Sequence, residues 1–172
     1  MTPLKWFDRS FTFGLPSSML PFYLERLAGT STRMKAKLDG IDDSILSEKY
    51  NGKWSVKQHI GHLAEVDQVA SKRIVEMVSG KPELSPAVFE PEDYSTWALQ
   101  EVLDHFNRIR KENLSHYEKL TEEQLQMASL HPRLKVMMTP VDLAFFDAEH
   151  DDHHLVAINE IVKALLKEKA TS

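Results

Sequence analysis

Between two long runs of helical apolar spacing lies a stretch, Gly80 to Ser95, that can continue neither of them. It carries Pro82, Pro86 and Pro91, and proline lacks the amide proton that a helix interior needs. The stretch is also long for a turn between neighbouring helices. The helix before it, read from Ser55 to about Ser79, spans roughly 37 Å at about 1.5 Å per residue. An extended segment rising about 3.3 Å per residue covers that distance. The stretch is therefore expected to be a crossover that returns the chain to its starting end, with the helices before and after it running parallel.

Start and stop signals place four long helices. The first is expected from Ser17 or Ser18 to about Leu38, with Leu20, Leu24, Leu27, Met34 and Leu38 at helical spacing, Pro21 tolerated in the first turn and Gly29 a weak point. The second opens on Ser55 and Gln58, a reciprocal cap in which a serine oxygen accepts from the N3 amide and glutamine reaches back. Its inward residues are Val56, Ile60, Leu63, Ala70, Ile74 and Met77, and Gly80 stops it. The third is expected to be capped by Ser95 and to run to about Leu120 on Trp97, Val102, Phe106, Ile109, Asn113 and Tyr117. The fourth follows Thr139-Pro140, a cap and a proline at N1, and is expected to reach about Lys167 on Val141, Ala144, Phe145, Ala148, Leu155, Ile158, Val162 and Leu165.

Shorter features fill the rest: a single turn around Asp42 to Lys49, and a second capping box at Thr121 and Gln124 ahead of a loop ending at His131-Pro132. No run alternates as a half-buried strand does. The expectation is an all-α, four-helix bundle with a long crossover between its second and third helices. One domain over residues 1–172 is expected, with 1–16 an irregular arm whose Trp6, Phe7, Phe11 and Phe13 pack on the body.

The chain contains no cysteine, which removes disulfides, thiolate ligands and cysteine nucleophiles together. Its net charge of −5 is spread along the sequence without a basic patch, so no nucleic-acid partner is expected. No apolar run reaches membrane-spanning length and the start is not that of a signal peptide, so a cytoplasmic protein is expected. Neither a glycine-rich phosphate loop nor a serine nucleophile motif is present.

Chemistry concentrates in Glu149-His150-Asp151-Asp152-His153-His154-Leu155. On a helix, His150 and His154 are neighbours with Cβ atoms about 5–6 Å apart, within reach of one metal ion. His153 falls nearly opposite the apolar stripe, and Asp151 falls on it, where an acid needs a partner. A hydrogen bond from a metal-bound imidazole is one such arrangement. Spacing alone is equally consistent with a solvated, histidine-rich turn. The second helix offers His59 and His62, and spacing puts His59 nearer the centre of its stripe. His105 and His116 read as surface residues, Trp54 and Trp97 as packing residues. His131 in its loop, Tyr94 and Arg73 are within reach of a substrate if the helices pack as expected.

The run Trp54-Ser55-Val56-Lys57-Gln58-His59-Ile60-Gly61-His62-Leu63-Ala64-Glu65-Val66-Asp67, followed by His150-Asp151-Asp152-His153-His154-Leu155, resembles the DinB/YfiT-like superfamily. The resemblance covers nearly the whole chain, including the arm and the crossover. It implies a four-helix bundle whose divalent metal is held by one histidine of the second helix and two of the fourth: His62, against the periodicity reading of His59, with His150 and His154. Zinc and nickel are the foremost candidates for the ion. Three histidines leave coordination positions open, as in a catalytic site. The implied function is that of a metal-dependent hydrolase, or of a bacterial thiol S-transferase using bacillithiol or mycothiol, acting on a small molecule. Asp151, shorter than the glutamate of helix-borne hydrolase motifs, is expected to orient a ligand rather than act as a base. The resemblance also admits a homodimer. The competing reading is a non-catalytic, stress-linked bundle with a structural or sensing metal.

Overall fold

A computed structural model of the chain describes residues 2–90 and 92–171. Met1, counted in the arm, Pro91, counted in the crossover, and Ser172 lie outside the described residues. The helices are α1 (Leu20–Leu38), α2 (Asp43–Ser47), α3 (Val56–Val78), α4 (Leu99–Glu118), α5 (Glu122–Leu125) and α6 (Pro140–Thr171). The four long ones, α1, α3, α4 and α6, form the bundle.

Local chemistry sets most of these ends. Ser55 and Gln58 close both halves of the expected box, Gln58 N donating to Ser55 Oγ at 3.2 Å and Ser55 N to Gln58 Oε1 at 3.1 Å. Thr139 caps α6 with Asp142 in the reciprocal role. The other oxygen of Asp142 accepts from Gly14 N and Leu15 N at 2.9 and 3.0 Å, fastening the arm to the start of α6. α1 begins with a 3-10 turn at Ser17–Met19, and α6 runs to Thr171 rather than about Lys167.

α4 does not start where Ser95 predicts. Ser95 sits in a turn, its amide bonded to Asp93 Oδ1 at 3.0 Å, and the helix opens after Ala98. Alanine has no acceptor, so the cap comes from elsewhere: Leu99 N donates to Asp43 Oδ1 of α2 at 2.9 Å, and Ala98 N to Glu101 at 2.7 Å. The other oxygen of Asp43 takes the fully buried Lys57 ammonium at 2.6 Å. The short α2 thereby ties the starts of α3 and α4 together.

Pairings across helices give the directions. Asp67 meets Arg110 and Asn113, and Ser71 meets Asn113; Lys57 reaches Trp97 O at 2.6 Å. Partner numbers rise together, so α3 and α4 run parallel, as the crossover requires. Arg26, Thr30 and Arg33 pair with Glu149, Asp151 and Asp152, so α1 and α6 also run parallel. Among the described residues strands pair at one place, which the sequence did not signal. Ser129–Leu130 (β1) and Met137–Met138 (β2) pair antiparallel, and Leu130 also bonds the crossover through Pro82 O at 2.8 Å and Leu84 N at 3.0 Å. Two residues per strand are too short to leave an alternating pattern.

The interior has two apolar halves. Met34, Val56, Ile60, Leu63, Val102, Phe106, Leu155 and Ile158 fill one; Leu27, Ala70, Ile74, Met77, Tyr117, Val141, Ala144 and Ala148 fill the other. Between them each long helix contributes a buried polar group. Arg110 donates from Nε to Asp67 Oδ2 at 2.7 Å and through both terminal nitrogens to Asp151 at 2.6 and 3.0 Å. Asn113 serves Asp67, and Thr30 serves Asp151. This layer accounts for the acid on the α6 stripe. Asp151 spends its oxygens on Arg110 and Thr30 rather than on a histidine, which corrects the orienting role expected of it.

Candidate metal centre

The seven-residue stretch of α6 that opens with Glu149 divides by helix face. Glu149 and Asp152 turn outward to Arg9, Arg26 and Arg33. Asp151 turns to the polar layer. His150 and His154, one helical turn apart, turn to the cavity and face α3. There, His62, His150 and His154 each present a ring nitrogen, and these atoms all lie within 4.8 Å of one another. His150 Nε2 and His154 Nε2 are 3.1 Å apart.

Each ring is held from behind to a different degree. His62 Nδ1 lies 3.4 Å from Glu65 Oε2, which leaves its Nε2 for the cluster, and the Trp54 ring packs on it at 4.8 Å between centroids. His154 Nδ1 meets His59 Nδ1 at 2.7 Å. One of those two nitrogens must carry the proton. With His154 Nε2 free to bind an ion, its Nδ1–H donates and His59 accepts. His150 Nδ1 is buried without a hydrogen-bond partner among the described residues; the Trp6 ring stands edge-on to it at 4.8 Å.

Burial lowers the basicity of all these rings. It pushes His59 and His62 down to about 4, and His150 and His154 well below the usual histidine range. Uncharged imidazoles at neutral pH offer lone pairs without competition from protons, the state in which histidine binds metal. Three such donors converging from two helices fit a divalent ion; without one, the two Nε2 atoms at 3.1 Å can share a hydrogen bond in which one ring carries the proton.

The cluster opens into a cavity of about 630 Å³. Trp6, Trp54, Val66, Val69, Phe89 and Phe146 give it largely apolar walls, and Arg73, His131, Arg133 and Asp147 form polar surface. Trp54, read as a packing residue, also lines the cavity; the arm contributes Trp6 and Phe7. His153, placed opposite the stripe by projection, is half-buried against Trp6 and reaches the cavity wall. Tyr94 packs against Gly61 and Trp97 rather than lining the cavity. His105 and His116 are half-buried on α4, apart from the cluster. Two contributors escaped the sequence reading although signals existed. Glu65 sits at i+3 from His62, and Asp147 sits at i−4 from Asp151 on the inward face of α6.

With this geometry in view, comparison with known families is decisive: the model of the DinB superfamily matches residues 26–158. The chain belongs to the DinB superfamily. Among solved structures the DinB chain is similar to YfiT from Bacillus subtilis, described as a probable metal-dependent hydrolase with an unusual four-helix bundle topology. The identity is 19%, the alignment covers 91% of this chain and 93% of that one, and the TM-score is 0.77. At that identity the likeness speaks for the shared fold. No curated protein sequence matches the chain.

Proposed function

We propose that this DinB chain is a divalent-metal-dependent enzyme that acts on a small molecule, with His62, His150 and His154 as the ligands. The observation that carries the reading is the convergence of three uncharged imidazoles, His62 and His154 buried and His150 half-buried, at the wall of the large apolar cavity. Imidazole-only ligation suits zinc or nickel. When bound, the ion supplies Lewis acidity that makes a water or a thiol in an open position more acidic. The chain's own residues do the rest. His59 holds the His154 tautomer, Glu65 orients His62, and the aromatic walls exclude bulk water. The description of YfiT as a metal-dependent hydrolase supports hydrolysis as the reaction class.

A thiol S-transferase using a low-molecular-weight thiol is the second reading. It is favoured by two carboxylates near the cluster being engaged, Glu65 with His62 and Asp151 with Arg110. A thiol ionised at the ion needs no general base. A structural or sensing metal is the non-catalytic alternative. One domain acting in the cytoplasm, alone or as a homodimer, completes the proposal; no described helix is long and apolar enough to cross a membrane.

Elemental analysis of the wild type and of His62→Ala, His150→Ala and His154→Ala, each with its thermal transition, tests this. Loss of metal with an intact transition supports an open functional site. Loss of the fold with the metal supports the structural alternative.

A further inference from the structure

The polar part of the cavity contains a mismatch. His131 Nδ1 accepts from two backbone amides of its own loop, Arg133 N at 3.3 Å and Leu134 N at 3.1 Å. It therefore carries no proton, and in the neutral ring the proton sits on Nε2. Burial beside Arg73 and Arg133 pushes the ring down to about 4, so it is neutral. Yet Nε2 lies 3.2 Å from Arg73 Nη1, and a guanidinium only donates. Two buried N–H donors face one another with no acceptor between them.

Arg73 is otherwise poorly served. Its Nε is buried without a partner among the described residues, and it makes no salt bridge there, unlike the buried Arg110. Arg133 adds a second guanidinium to the same cavity, stacked over Phe7 at 4.9 Å. The acid present, Asp147, lies near Arg73 but makes no salt bridge with it among the described residues. Its Oδ2 has no hydrogen-bond partner among the described residues, and burial raises its carboxyl well above the usual carboxylate range, which disfavours its charged form. A buried guanidinium left unpaired is costly, and a planar oxyanion is the ligand whose lone pairs it matches in pairs.

We infer that Arg73, with His131 Nε2–H and Arg133 beside it, forms a subsite for a carboxylate carried by an otherwise apolar substrate. Asp147 lies on α6 one turn before His150, so a molecule anchored there lies along the apolar wall toward the three histidines. The inference rests on the reading of this cavity as the substrate cavity, but not on an ion being bound.

The test uses chelator-treated, metal-free full-length protein and two probes of equal shape, phenylacetate and phenylacetamide, titrated by calorimetry. Phenylacetate is expected to bind at least about tenfold tighter, a charge-assisted contact being roughly twice as strong as a neutral one. Arg73→Gln is expected to erase that preference, and Arg73→Lys to keep part of it. Equal affinity of the two probes for the wild type overturns the inference, as does an undiminished preference in Arg73→Gln. Should Arg73→Gln fail to fold, the wild-type comparison and Arg73→Lys decide. Metal content is measured on the same proteins before chelation and after titration with zinc or nickel. A wild type that prefers the carboxylate but binds no ion contradicts the metal centre and leaves the subsite standing; one that binds the ion without preferring the carboxylate does the reverse.

Discussion

At the scale of single residues, the histidines divide by what stands behind each ring. His62 has a carboxylate, His154 has another imidazole, and His150 has only an aromatic edge. Groups that orient a metal ligand typically change affinity by about 10–100-fold when removed. His59→Ala is therefore expected to weaken metal binding by about that factor while leaving stoichiometry unchanged, as competition against a chelator will show. The same burial predicts a pH response of the metal-free protein. An unfolded histidine takes up its proton near 6.5, whereas His59 and His62 stay neutral until about 4 when folded. Between those values the unfolded chain binds more protons, so stability falls as pH drops from about 6.5 to about 4. Thermal midpoints measured across that window are expected to decline, and to decline less steeply in His62→Gln.

The residue scale is also where sequence and structure part most. The i, i+4 spacing is enough to pair His150 with His154. Helical spacing favours His59 over His62, because a residue at the flank of a stripe is buried by a cavity wall rather than by the core, and only the family pattern favours His62. Asp151 was legible as a buried acid needing a partner. The partner was not, because Arg110 reaches it from another helix, and that contact depends on the register of three helices.

At the scale of elements, chemistry local to the chain was readable and chemistry supplied from afar was not. The caps at Ser55, Thr121 and Thr139 lie within four residues of the amides they serve. The cap of α4 comes from Asp43, far back in sequence, so Ser95 was the nearest visible candidate and the wrong one. Asp43→Ala removes both this cap and the carboxylate partner of the buried Lys57 ammonium, so it is expected to cost more than the about 0.5–2 kcal/mol of a lost cap alone, and to fray the first turn of α4 in hydrogen exchange. The contact between α3 and the crossover is equally specific. A Cβ on Gly61 would fall 2.0 Å from Cε2 of the buried Tyr94. Gly61→Ala is expected to destabilise by about 1–3 kcal/mol, as overpacking does, and Gly61→Ala combined with Tyr94→Leu is expected to recover part of that loss in chemical denaturation.

At the scale of the whole molecule, the long crossover decides the architecture. It makes α3 and α4 parallel, and α6 then returns antiparallel to α3, which brings His154 and His150 opposite His59 and His62. The polar layer between the apolar halves sets the register of all four long helices at one level, and Arg110 is its centre. Arg110→Leu leaves Asp67 and Asp151 buried without their cation, and is expected to cost about 3–5 kcal/mol in denaturant unfolding. Loss of that register should also weaken metal binding, since Asp151 adjoins His150 on α6.

The central claim is that the bundle exists in this register to bring three imidazoles to one ion. It is tested most directly by titrating cobalt(II) into the metal-free protein and following the absorption of the bound ion, with nickel and zinc as competitors. One ion per chain in the wild type, displaced by zinc or nickel and lost in each of His62→Ala, His150→Ala and His154→Ala while His153→Ala retains it, is the predicted result. A wild type without stoichiometric binding, or binding that survives removal of His62, would contradict it.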